Sequence, residues 1–257
     1  MSENLPAKPA PVTRDPWAAL RSSSCARIGL GRAGGSLPTH EWLDFKAAHA
    51  AARDAVHIEF DAERLAGDVS RLGVEALVVS SAVPDRATFL QRPDLGRQLD
   101  PASQQLLAEL IPAEERPDLA IIVSDGLSAL AAQTQTAPLL AELLPKLQHA
   151  GWRLAPIIIA RYGRVALQDQ IGSLLGAQLA LTLIGERPGL GSPDSLGAYL
   201  TYDPKLGNTD AQRNCVSNIR PAGLPYAAAA ETLSYLLNQS RQRRLSGVHL
   251  KDQRVIQ

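Results

Sequence analysis

Gly29-Leu-Gly31-Arg-Ala-Gly34 matches G-x-G-x-x-G, a spacing that can bring backbone close to a pyrophosphate at a helix N-terminus. That chemistry needs a strand feeding the turn and a helix opening out of it. Only Cys25 to Ile28 could be the strand, and Gly35 and Pro38 delay the helix. The next acidic residue at a suitable distance, Asp54, falls inside a helical stretch. A glycine-rich connecting loop is therefore the preferred reading. Ser124-Asp125-Gly126-Leu127-Ser128 offers hydroxyls and a carboxylate at a strand end, but no histidine lies nearby to activate a serine. Turn and cap chemistry is preferred there. Glu186 with Arg187 reads as an ion pair at a turn. His149, just before Gly151, suits a cation at a helix C-terminus. No His/Cys/Asp cluster has zinc spacing, and there is neither G-x-S-x-G nor a P-loop lysine.

The elements that must position these residues follow from apolar periodicity. Thr39 is expected to cap a helix running to about Val56, with Glu41 in its first turn. A second helix spans about Asp61 to Leu72 and stops at Gly73, before a β-branched run over Val74 to Ser80. Asp85 to Asp100 is polar and punctuated by Pro and Gly, and reads as a long loop. Leu119 to Val123 is a buried strand. A helix follows with Leu139, Leu140, Leu143, Leu144 and Leu147 on one stripe, Thr136 as its expected N-cap and a kink expected at Pro145. A second strand spans Leu154 to Ala160. Leu167, Ile171, Leu174 and Leu175 mark a short helix that stops at Gly176, and a third strand spans Gln178 to Gly185.

Strand-helix-strand-helix-strand with near-continuous apolar strands predicts an α/β fold: a Rossmann-like parallel sheet flanked by helices, beside a mostly helical N-terminal region. The polar loops after the three strands then gather on one edge, where open α/β sheets bind ligands. The 257 residues would suffice for a (β/α)₈ barrel of about 250, but about five strands are too few to close one.

Lys+Arg and Asp+Glu number 26 each, which argues against a dedicated nucleic-acid or membrane-surface binder. The start lacks the basic and apolar regions of a signal peptide, and no apolar run approaches the ~20 residues of a membrane helix. Cys25 and Cys215 are expected to be free thiols of a soluble intracellular protein. Prolines 6, 9, 11 and 16 predict a flexible arm over 1–16, followed by a mostly helical region over 17–100, a Rossmann-like domain over 101–248 and a basic tail over 249–257. Arg241, Arg243, Arg244, Lys251 and Arg254 outnumber Asp252 near that end. A solvated helix end is preferred there to a docking strip for an acidic partner.

Six blocks in order carry a resemblance: Gly31-Arg-Ala-Gly-Gly35, Leu90-Gln-Arg-Pro-Asp-Leu-Gly-Arg97, Ser124-Asp-Gly-Leu-Ser128, Arg161-Tyr-Gly-Arg-Val165, Gly185-Glu-Arg-Pro-Gly-Leu-Gly191 and Asn214-Cys-Val-Ser-Asn-Ile219. From about Pro16 to Val248 the chain resembles the small (light) subunit of ethanolamine ammonia-lyase, which converts ethanolamine to acetaldehyde and ammonia. The resemblance implies a Rossmann-like subunit that covers part of a base-on adenosylcobalamin at the interface with a barrel-shaped large subunit, in a hexamer of large–small pairs. It implies that the radical step belongs to the cofactor, that the substrate site lies on the large subunit, and that this chain supplies no catalytic residue and no metal ligand.

The family's cobalamin contacts carry over onto Val165, as an apolar wall, Glu186, as a hydrogen-bond acceptor, and Cys215, as a packing contact rather than a cobalt ligand. The arm is shorter than in relatives that enter a bacterial microcompartment, so the expected address is the cytoplasm, with encapsulation left open. The alternatives are a stand-alone Rossmann-like enzyme acting on a nucleotide or phospho-metabolite, and a purely structural partner subunit.

Overall fold

A computed structural model describes residues 12–24, 26–110 and 115–254. The first eleven residues of the expected arm, Cys25 and the last three residues of the tail lie outside the described residues. Two compact units are present, one of the described residues up to Arg53 with Gly189–Gly191, the other of Asp54–Pro188 with the residues from Ser192 onward. No described helix is long and apolar enough to cross a membrane.

In the first unit a 3₁₀ helix, Pro16–Ser23, is capped by Asp15, whose carboxylate accepts from the Trp17 amide at 2.8 Å. The glycine motif makes a loop here, not a nucleotide turn. Residues 26–28 form no strand, and a Cβ on Gly29 or Gly31, both at positive φ, would meet backbone of Ala18 or Thr13 at 2.7 Å. Close packing explains the glycines. Helix α1, Thr39–His57, starts at Thr39, not after it; Glu41 in its first turn is buried and pairs with Arg21.

The second unit is built on one six-stranded sheet of order β1-β3-β2-β4-β5-β6. After α2 (Ala62–Ser70) come β1 (Ala76–Ser80), α3 (Arg86–Gln91), α4 (Pro101–Leu110), β2 (Leu119–Ser124) and α5 (Ala129–His149). Then follow β3 (Ile157–Arg161), α6 (Leu167–Leu174), β4 (Leu179–Gly185), β5 (Leu196–Tyr202), β6 (Arg213–Ile219) and α7 (Tyr226–Arg243). Strands β1 to β4 run parallel; β5 and β6 extend the sheet antiparallel.

Period-2 alternation sorts the strand residues. Leu119, Ile121 and Val123 pack with α2, α5 and α7, whereas Ala120 and Ile122 pack with α4 and α6. Both faces are covered, so β2 and β4 are buried at every position. The α/β fold with a helix-flanked sheet is as expected.

Several local expectations change. The sheet has six strands rather than about five, because β5 and β6 went unread. The 85–100 loop contains α3, capped by Asp85, and a 3₁₀ turn at Leu95–Arg97. Helix α5 starts a full two turns before Thr136, with Ser128 as N-cap, so Thr136 lies buried inside it, and the helix is continuous through Pro138 and Pro145 to His149. The basic end is partly folded back rather than solvated: Arg241 stacks on Trp152 with 4.0 Å to the ring centre, and Arg254 lies over Tyr235 while pairing with Asp252.

Gly185 ends β4 where the chain must pass the start of α5. A Cβ there would overlap the carbonyl oxygens of Ser128 and Asp125, whereas Gly191 has open space around it. Gly185→Ala should therefore destabilise the fold by about 2–3 kcal/mol, and Gly191→Ala by no more than about 0.5 kcal/mol, in urea unfolding. Equal midpoints would contradict this packing.

Candidate functional site

The parallel registers place the ends of β1, β2, β3 and β4 side by side, with Ser80 opposite Arg161 and Ser124 opposite Ala160 and Ile184. Four loops leave this edge, and a buried carboxylate ties three of them together. Asp125, fully buried, accepts from the Tyr162 amide at 2.7 Å and the Ser124 hydroxyl at 3.1 Å, and from Arg86 Nη1 at 2.7 Å. The same Arg86 nitrogen donates to the Gly126 carbonyl, and its Nε to the Val56 carbonyl. The Ser124 hydroxyl accepts from the Gly163 amide at 2.9 Å. This segment makes turn and cap contacts, with the Ser128 hydroxyl accepting from the Ala131 amide at the start of α5.

Burial pushes the Asp125 carboxyl up to about 6, against the opposing pull of Arg86 and the Tyr162 amide. Burial also lowers Arg86, outweighing the attraction of Asp125. Desolvation thus exceeds pairing at both partners, and the surrounding fold holds the pair together. The face of Phe89 carries two guanidiniums, Arg164 at 4.0 Å from the ring centre and Arg86 at 4.8 Å. Arg164 also donates to the Phe89 carbonyl at 2.9 Å.

Two adjoining cavities open on this edge, of about 480 and 560 Å³. Arg164, Val165 and Tyr199 line both; Glu186 lines the first and Cys215 the second. The three positions singled out in the sequence thus meet around one wall, although 50 residues separate Val165 from Cys215.

The Glu186 carboxylate makes no ion pair with Arg187. It accepts from the Ser195 hydroxyl and, at 3.2 Å, from the Asn218 amide. A bulge frees that amide. Leu196 and Ala198 of β5 face Ile219 and Val216 of β6, leaving an extra residue on β6, and Asn218 has φ +59°. Gly197 makes room, since a Cβ there would lie 2.9 Å from Glu186 Oε1.

Tyr199 faces Cys215 across the β5–β6 ladder. Cys215 is exposed by area, yet desolvation in the cavity wall still pushes its thiol up; the Tyr199 hydroxyl opposes this and the Glu186 charge adds to it. Burial, then the neighbouring Cys215, raises the Tyr199 phenol. Behind this wall Arg213 is buried and pairs with Asp169 through two nitrogens at 2.9 and 2.6 Å, fixing β6 to α6.

Among the described residues no group of His, Cys, Asp or Glu could hold a metal ion. The edge can bind, orient and shield a ligand. Sequence reasoning missed Arg86, Arg164 and Tyr199; the first two are joined only through the tertiary fold, and Tyr199 only through a strand not recognised.

A model of the ethanolamine ammonia-lyase light chain family matches residues 14–251. The ethanolamine ammonia-lyase small subunit of Ralstonia nicotianae is 52% identical over 253 residues, covering 98% of this chain and 94% of the relative. That of Azotobacter vinelandii is 54% identical over 246 residues, covering 95% and 91%, and that of Pseudomonas putida KT2440 is 53% identical, covering 95% and 90%.

The Asp125 titration has a definite sign. Its folded value lies above the ordinary aspartate value of 3.8, so its contribution to stability is fully present below about 3.8 and is lost as pH rises through about 6. The stability difference between the wild type and Asp125→Asn should change across that window, and a difference flat from about pH 4 to 7 would contradict it. Arg86→Gln, which strands the carboxylate, should cost about 3 kcal/mol at neutral pH by denaturant unfolding.

Proposed function

The chain belongs to the ethanolamine ammonia-lyase light chain family, and from that premise we propose that it is the small subunit of a lyase converting ethanolamine to acetaldehyde and ammonia. In this reading it pairs with a large subunit that holds the substrate, in a cytoplasmic hexamer of large–small pairs. Its paired cavities receive part of a base-on adenosylcobalamin. One observation carries the proposal: Val165, Glu186 and Cys215, brought from three separate loops and strands, line two cavities that share a wall.

The donor set fits such a group. Val165 supplies an apolar surface, Glu186 has Oε1 left over after Oε2 accepts from Ser195 and Asn218, and Arg164 keeps a buried Nε without a partner. When bound, adenosylcobalamin supplies the radical chemistry of the reaction. Glu186 would accept hydrogen bonds from amide groups on the ligand rim, and Gly197 and the Asn218 bulge hold it in place to do so. Val165 and Tyr199 would exclude water from the covered face. Cys215 would pack against the ligand as a neutral thiol. None of these residues transfers a proton to substrate.

Co-expression with a large subunit of the same family tests the proposal. The purified pair should retain the visible spectrum of cobalamin and release acetaldehyde from ethanolamine; a pair that does neither would overturn it. Glu186→Ala should weaken cobalamin binding about tenfold or more through loss of a charge-assisted acceptor. Cys215→Ala should cost less and leave the cobalt spectrum unchanged. A spectral change in that variant alone would make the sulfur a ligand.

A further inference from the structure

We propose that Arg97, Arg164 and Arg187 form a binding site for a phosphate group at the carboxyl edge of the sheet. Arg164 lines both cavities, with Arg97 on the rim of one and Arg187 on the rim of the other. None of the three has an ion-pair partner among the described residues, and the carboxylates around them are otherwise engaged. Asp125 is held by Arg86, Asp169 and Asp210 pair with Arg213, and Glu186 accepts from Ser195 and the Asn218 amide.

Arg164 is also fixed in place before any ligand arrives. Its guanidinium stacks on Phe89 at 4.0 Å, Nη2 donates to the Phe89 carbonyl, and the buried Nε donates to nothing. A buried donor without an acceptor is costly, and a guanidinium edge is shaped for two oxygens of one anion. Burial first, then the charge of Arg86, press Arg164 downward, opposed by Asp125, and Arg97 and Arg187 press the same way. An anion placed among the three relieves their mutual repulsion. Phosphate suits the site better than a carboxylate because it offers enough oxygens for three guanidiniums at once.

The phosphate has two sources with the same chemistry: the phosphodiester of the cofactor's nucleotide tail, or a free phosphorylated metabolite. The first source rests on the function proposed above; the site itself does not. For the site, the full chain is melted in inorganic phosphate and in chloride at equal ionic strength. Phosphate should raise the midpoint by about 2–4 °C, and Arg164→Gln should abolish the rise. Equal midpoints in the two salts for the wild type would overturn the site. Should Arg164→Gln fail to fold, Arg187→Gln at the exposed rim must reduce the rise, and an unchanged rise would overturn the assignment.

For the source, the large–small complex is titrated with cyanocobalamin and with cobinamide, which lacks the nucleotide and its phosphate. Arg164→Gln should weaken the first about tenfold or more and leave the second unchanged. Equal weakening of both would overturn the cofactor as source. A complex that binds neither ligand fails the functional proposal, while the melting experiment still decides the site.

Discussion

The carboxylate of Asp125 has no contact with water, and the carboxyl edge of the sheet is arranged around that fact. A buried charge needs a counter-ion and hydrogen bonds, and these come from different parts of the chain: Arg86 from α3, the Tyr162 amide after β3, and the Ser124 hydroxyl at the end of β2. Meeting that requirement fixes three loops relative to one another. The Arg86 guanidinium then sets Phe89 against Arg164, so the electrostatic need of one side chain is passed to the wall of both cavities. The pair contributes order more than stability, since burial outweighs attraction on both of its members.

The antiparallel extension supplies the opposite wall. Strand β5 brings Tyr199 and β6 brings Cys215, and the Arg213–Asp169 pair anchors β6 from beneath. The bulge at Asn218 turns one amide from the ladder to Glu186. A sheet ending at β4 would have left Glu186 on a free loop with neither the Asn218 amide nor the Ser195 hydroxyl to orient it. The two added strands are therefore what make an ordinary α/β edge into a lined pair of cavities.

How much of this was legible depended on local pattern. Strands β2 and β4 are buried on both faces, so their apolar runs are continuous and were readable, as were the Leu stripe of α5 and the stop at Gly176. Strand β6 reads Arg-Asn-Cys-Val-Ser-Asn-Ile and buries residues 213, 216 and 219; the bulge sets the step from 216 to 219, while Arg213 is buried on the other face, against α6. The strand therefore lacks the alternation by which a strand is recognised. Thr136 looked like a cap because a hydroxyl precedes an apolar stripe, yet the alanines before it continue the helix to Ser128. Within the site, Glu186 and Val165 stood in loops already expected at the ligand edge. Arg86 lay in a stretch read as loop, and its partner Asp125 is 39 residues away; nothing local announces that pairing.

The proposed function requires that the carboxyl edge of the sheet, and not its opposite edge, meets the ligand in the assembled enzyme. Hydrogen–deuterium exchange of the large–small complex, with and without bound cobalamin, tests this most directly. Ligand-dependent protection should fall on residues 124–126, 162–166, 185–187 and 215–218. Protection confined to residues 115–118, 151–156 and 176–178, at the opposite edge, would contradict it.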